Sequence, residues 1–60
     1  MDKYKVVYFI ENKGPISKVI EASGVGFGKD RIGDSIIFFD EHGENGYEFY
    51  KDNVVVYYRL

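Results

Sequence analysis

The chain contains no cysteine. No disulfide can brace it and no thiolate metal site can organise it. It has a single proline, so almost every backbone N–H is free to join a ladder. A charge of one sign is also missing: 8 lysines and arginines stand against 10 aspartates and glutamates, a net charge of −2. A nonspecific nucleic-acid binder is normally clearly basic, because phosphate neutralisation supplies most of its affinity. The balance is equally short of the acidity of a nucleic-acid mimic. No long hydrophobic run opens the chain. Val6 to Ile10 is too short for a signal-peptide core or a membrane span, and a cytoplasmic location is the expectation. Length excludes more. Sixty residues allow one small domain, residues 1–60, and no dinucleotide-binding fold, barrel enzyme or two-domain cleft. A domain of this size buries only about 60% of the surface its unfolded chain exposes, so its core has little to spare.

What the chain has is aromatic mass. Tyrosine and phenylalanine make up 18% of it, and each ring can bury roughly 150–250 Å². Residues 4–11 are β-branched and aromatic and read as a strand with Tyr4, Val6, Tyr8 and Ile10 on one face. Asn12-Lys13-Gly14-Pro15 is turn chemistry. Residues 16–22 are ambiguous. As a strand, Ile16, Ile20 and Ala22 share a face that Lys18 interrupts. As a short helix over 15–23, Pro15 would open it and Gly24 stop it. Strand is preferred, because two or three helical turns are marginal alone. The glycine-rich stretch 23–35 is the one long connection, with room for a short strand around Val25 and Phe27.

Beyond it the pattern is firmer. Ile36–Phe39 is a strand, and Asp40–Gly46 a loop ending in Asn45-Gly46, the dipeptide that hairpin turns prefer. Tyr47–Tyr50 and Val54–Leu60 are the last strands. The expected fold is therefore all-β: a small antiparallel meander or SH3-like barrel of 4–5 strands. Its expected core is Val6, Tyr8, Ile10, Ile20, Ile36, Phe38, Tyr47, Phe49, Val54, Val56 and Tyr58.

Three groupings invite a chemical reading. Gly24-Val25-Gly26-Phe27-Gly28-Lys29 suggests a phosphate loop, but a P-loop needs glycine where Ser23 stands and serine or threonine where Asp30 stands. The dinucleotide fingerprint fails at Lys29, so the glycines read as permitting a bend or bulge between strands. Asp40, Glu41 and Glu44, with Asn45 and Glu48 nearby, do not match a calcium loop and read as a solvated hairpin tip. His42, the only histidine, lies in an expected turn with no nucleophile placed beside it. No catalytic residue, metal or cofactor is assigned, and an enzyme is not the expectation.

The tyrosines point elsewhere. Tyr4, Tyr8, Tyr47, Tyr50, Tyr57 and Tyr58 are too many for a core this small. If the second face of the sheet is uncovered, Val7, Phe9, Ile37, Phe39, Tyr50, Val55 and Tyr57 form an apolar patch of the kind that marks partner surfaces. A closed barrel, in which some of these residues cap the ends, is the alternative. Phe9, Phe39, Tyr50, Val55, Tyr57 and Arg59 are the candidate partner-binding residues. Val54–Leu60 is long and apolar, with little but Arg59 to guard it as an edge, so a homodimer through this C-terminal strand is expected.

Residues 34–60 run Asp-Ser-Ile-Ile-Phe-Phe-Asp-Glu, a Gly/Asn turn, Tyr-Glu-Phe-Tyr, then Asp-Asn-Val-Val-Val-Tyr-Tyr. Over this stretch the chain resembles very short β-rich accessory proteins of bacterial phages and prophages. The resemblance implies a non-enzymatic binder of a host protein, an inhibitor or regulator. The leading expectation is thus a protein-binding module that occupies a host or partner surface. The alternative is a single-stranded nucleic-acid binder that stacks bases on exposed rings, with Lys5, Lys13, Lys18, Lys29 and Arg31 gathered near the glycine-rich segment.

Overall fold

The computed structural model describes all 60 residues. Strand β1, Asp2–Phe9, carries the alternating run that begins the chain. It pairs antiparallel with β2, Pro15–Ala22, along its whole length, from Asp2 opposite Ala22 to Phe9 opposite Pro15. The segment that could also be read as a short helix over 15–23 is therefore a strand. Lys18 shares the inward row with Ile16, Ile20 and Ala22 without breaking it, because its ammonium reaches the rim and sits 5.0 Å from the centre of the Tyr47 ring.

Ser23 alone separates β2 from β3, Gly24–Lys29, so one bent run passes from the first sheet into the second. Its N–H donates to the Phe39 carbonyl at 2.8 Å, and its hydroxyl donates to the Asp40 carbonyl at 2.6 Å, pinning the corner. β4, Asp34–Phe39, and β5, Asn45–Tyr50, complete the second sheet in the order β3-β4-β5. A single 3-10 turn, Lys51–Asn53, returns the chain to β6, Val54–Arg59, which joins the first sheet in the order β2-β1-β6. The fold is all-β and antiparallel, as the sequence leads one to expect. It has six strands rather than four or five, because the stretch around Val25 and Phe27 pairs fully with β4. Each sheet keeps two edges, and the chain passes between the sheets at the bend at Ser23 and at the 3-10 turn Lys51–Asn53.

Between the sheets lie Val6, Ile20, Ala22, Ile36 and Phe38, with Tyr4, Tyr8, Val25, Phe49, Val54 and Tyr57 packed around them. The Phe38 ring is the hub. Tyr4, Phe49 and Tyr57 meet it edge-on at centroid distances of 5.4, 5.9 and 5.7 Å, so β1, β5 and β6 all converge on one side chain of β4.

Three members of the expected core lie elsewhere. Ile10 is exposed because β1 ends at Phe9 and the Ile10 carbonyl closes the turn by accepting from Lys13. Val56 and Tyr58 point outward, and Tyr57 points inward in their place. The cause is a β-bulge: Val7 faces Val56 but Tyr8 faces Val54, leaving Val55 as the extra residue. With one residue bulged out, Val54 and Tyr57 both reach the core although their numbers differ by three. Tyr47 is inward but stays at the rim, partly open beneath Lys18.

The β4–β5 hairpin also departs from its sequence signal. Asn45 and Gly46 belong to β5, and the tight turn lies at Asp40–Glu44. Asp40 organises it. Its N–H donates to the Glu44 carbonyl, its carbonyl accepts from Gly43, and its carboxylate accepts the N–H groups of His42 at 2.8 Å and Glu44 at 3.0 Å. Gly43, at φ 76°, supplies the left-handed residue.

Candidate interaction surface

The registers place every outward side chain of the first sheet. On β1 these are Lys3, Lys5, Val7 and Phe9, since Val6 and the tyrosines beside it point inward. Lys5 is flanked by Val19 on β2 and Tyr58 on β6, and Val7 by Ser17 and Val56. Phe9 lies beside Pro15, and Lys3 lies beside Glu21 and bonds to Leu60 through its carbonyl. Val7, Phe9, Val19, Val56 and Tyr58 thus form one apolar strip across three strands, interrupted by Lys5. Val19 is 55% exposed and Tyr58 46%, so neither is covered by its own chain. Contiguous exposed apolar surface of this kind marks an interaction site, whereas single exposed hydrophobics are ordinary.

The six partner-binding residues inferred from the sequence do not share this surface. Phe9 does. Val55 is at the bulge on the β6 edge, and Arg59 is exposed with its guanidinium 3.7 Å from the Asp2 carboxylate. Tyr57 is turned into the core against Phe38. Phe39 and Tyr50 are on the outer face of the other sheet, half-buried. Phe39 is accommodated by Gly26: a Cβ there would come within 2.8 Å of the ring, so the aromatic lies on bare strand backbone. The residues that sequence reading missed are Val19, Val56 and Tyr58. Val19 carried a signal, as the odd residues of 15–22 alternate against Ile16, Ile20 and Ala22. Val56 and Tyr58 carried none, because Val54–Tyr58 is apolar at every position and either face fits.

Tyr50 has a different task. Its hydroxyl donates to the Asp30 carboxylate at 3.1 Å, while the other Asp30 oxygen accepts the N–H groups of Ile32 at 2.8 Å and Gly33 at 3.1 Å. The β3–β4 turn is thereby tied to the end of β5. The N–H groups of Gly33 and Ile32 hold the Asp30 carboxyl below its ordinary range, and Tyr50 is raised chiefly by donating to Asp30. Asp40 is lowered in the same way by the N–H groups of Glu44 and His42.

The sign of the consequence follows from linkage. A carboxyl with a depressed folded pKa contributes stability above its unfolded value, 3.8, and loses it as pH falls through the lower folded value. A tyrosine with a raised folded pKa contributes below its unfolded value of 10.0 and loses that contribution as pH rises through the folded one. Stability is expected to drop below pH 3.8, and Asp30→Asn with Asp40→Asn to flatten that limb in urea titrations at stepped pH. An acid limb unchanged in the double variant would show that the two turns do not carry it.

The basic residues are dispersed. Lys5 is on the outer strip, Lys13 in the β1–β2 turn, Lys18 over Tyr47, and Lys29 and Arg31 at the β3–β4 turn. His42 lies on an exposed turn 3.5 Å from Glu41. No helix is long and apolar enough to cross a membrane. Geometry and sequence together define a small antiparallel β protein with an uncovered apolar sheet face. Compared with protein-family models, curated proteins and solved structures, the chain matches none.

Proposed function

We propose that this chain is a non-enzymatic protein-binding module, a cytoplasmic inhibitor or regulator of the phage accessory type, that acts by occupying a host-protein surface. The observation that supports it is the strip of Val7, Phe9, Val19, Val56 and Tyr58. These residues line up across β2, β1 and β6 on the face turned away from the core. Phe and Tyr supply the anchors such interfaces favour, and Lys5 within the strip and Lys3 beyond it add charges that select among partners.

The test uses substitutions on this face that spare the core. A charge at Tyr57 would enter the core and report folding instead. Val19→Glu with Tyr58→Glu is expected to keep the wild-type circular dichroism and to lose the host protein that the wild-type chain retains in affinity capture. Glu48→Lys, on the other sheet, is expected to retain it. Equal capture by all three chains would rule the strip out. Capture that disappears on nuclease treatment would favour single-stranded nucleic acid as the partner.

A further inference from the structure

The free edge of β3 is the least guarded in the molecule. Of the four edge strands, β5 and β6 each carry a bulge, and β2 opens on Pro15 and bears Lys18 and Glu21. β3 runs in unbroken register from Gly24 to Lys29, with Lys29 at its end as the only charge. No part of β1 runs alongside it, because β1 begins at Asp2, opposite Ala22, the last residue of β2. Asp30 N–H donates to the Gly33 carbonyl at 3.1 Å. Bonding to one neighbour alternates along an antiparallel strand, so Gly28, Gly26 and Gly24 bond β4, and Val25, Phe27 and Lys29 turn their N–H and C=O groups to the free edge. The side chains of these same residues lie in the inward row: Val25 faces Phe38 and Phe27 faces Ile36, both buried. Phe27 is nevertheless 71% exposed. A depression of about 410 Å³ opens beside its ring, lined by Gly28, Lys29, Asp34, Ser35 and Lys51. Asp34 faces Lys29 across the ladder but closes no ion pair with it. The ion pairs of the protein, His42–Glu41 and Arg59–Asp2, leave both lysines free. Two unpaired ammonium groups against one carboxylate give this depression surplus positive charge on a chain whose net charge is −2.

We infer that this edge takes an extended segment of a partner protein as an added antiparallel strand, with apolar side chains opposite Val25 and Phe27 and a carboxylate opposite Lys29. From its N-terminus such a segment reads acid, any residue, apolar, any residue, apolar. Residues paired across two strands share a face, so its apolar side chains cover the bare Phe27 ring. Its carboxylate comes beside Lys29, at the depression that Lys51 also lines. Gly24, Gly26 and Gly28 hold the alternate positions, so no side chain of β3 screens the backbone on the other face. Charge and hydrogen bonding disfavour the other occupants. A nucleic-acid strand brings phosphate acceptors where the carbonyls of Val25, Phe27 and Lys29 need donors, and Asp34 repels them. A second β3 paired about Phe27 sets Lys29 against Val25 and leaves both ammonium groups unpaired.

The probe is the capped peptide Glu-Thr-Val-Thr-Val, titrated into the isotopically labelled chain and followed by nuclear magnetic resonance. It is expected to saturate with a Kd below about 1 mM and to move the amide resonances of Val25, Phe27 and Lys29 most. Lys29→Glu is expected to weaken it at least about fivefold, and to bind Lys-Thr-Val-Thr-Val better than the wild-type chain does. Phe27→Pro removes an edge N–H while sparing the bonds to β4, and is expected to abolish binding. If Phe27→Pro fails to fold, the charge exchange decides. Absence of saturation up to about 5 mM peptide overturns the inference. So does equal binding of the two peptides by the wild-type and Lys29→Glu chains. A stronger response of the same amides to oligothymidylate overturns it in favour of nucleic acid, and their movement when the chain alone is concentrated overturns it in favour of a second copy. The β3 edge is apart from the outer strip, so Val19→Glu with Tyr58→Glu is expected to bind the peptide as the wild-type chain does, and the two readings fail separately.

Discussion

Phe38→Ala is expected to remove most of the protein's folding stability. The Phe38 ring is 1% exposed and is the contact shared by Tyr4, Phe49 and Tyr57. Only five apolar residues are fully buried in the whole chain, so no second cluster can take over. Truncating a buried phenylalanine costs about 3–5 kcal/mol, through lost transfer energy and the cavity left behind. A chain of 60 residues has a total stability of roughly 3–9 kcal/mol at usual per-residue values. The two ranges overlap, so a single substitution removes most or all of the margin. Where the variant still folds, its melting temperature is expected to fall by about 12–40 °C, since 1 kcal/mol moves a domain this small by about 4–8 °C. Phe27→Ala is the matched control, the same chemical change at a ring 71% exposed, expected to shift stability by less than about 0.5 kcal/mol. Urea unfolding followed by circular dichroism compares the two. Equal midpoints would mean that Phe38 does not organise the core.

The difference between those two phenylalanines shows what the sequence could and could not reveal. Alternation in β1 is unambiguous because Lys3 and Lys5 mark its outer row, and the inward Tyr4, Val6 and Tyr8 are where the pattern puts them. Ile36 and Phe38 are read correctly as buried, with Ile37 and Phe39 on the opposite face of β4. Ile10 fails because β1 ends before it, whereas the misread face of β6 and the misplaced β4–β5 turn both sit at bulges. At Val55 and at the Phe38/Phe39 step the ladder slips by one residue, and the parity of every following side chain reverses. A bulge within Val-Val-Val-Tyr-Tyr leaves no trace in composition, so Tyr57 and Tyr58 exchange faces without changing the hydrophobic pattern. The candidate surface was therefore legible in β1 and in part of β2, and illegible in β6. Phe27 was illegible for another reason: its exposure depends on how far the opposite sheet extends, which no local pattern encodes.

The second bulge supports the other large prediction. Phe38 faces Tyr47 and Phe39 faces Asn45, so Gly46 is the residue that β5 carries in excess. A Cβ on Gly46 would lie 3.1 Å from the Phe38 carbonyl oxygen and 3.4 Å from the Asp40 nitrogen. Both are backbone atoms, one in the strand that carries the core hub and one in the turn that Asp40 bonds together, so neither can swing aside as a side chain would. Gly46→Ala is expected to cost about 1–3 kcal/mol, the usual range for atoms forced into packed surroundings. Gly24→Ala is the opposite case. Nothing lies within 4 Å of the place its methyl group would take and its φ is not positive, so the substitution is expected to be neutral or to stabilise by up to about 1 kcal/mol, by restricting the unfolded chain. Chemical denaturation of the two single-alanine variants separates these outcomes. If Gly46→Ala proved as stable as Gly24→Ala, the excess residue would not be held at Gly46. The ladder would then run regularly into an Asn45-Gly46 turn, as the dipeptide alone suggests, and Tyr47 and Phe49 would no longer be fixed on the face that meets Phe38.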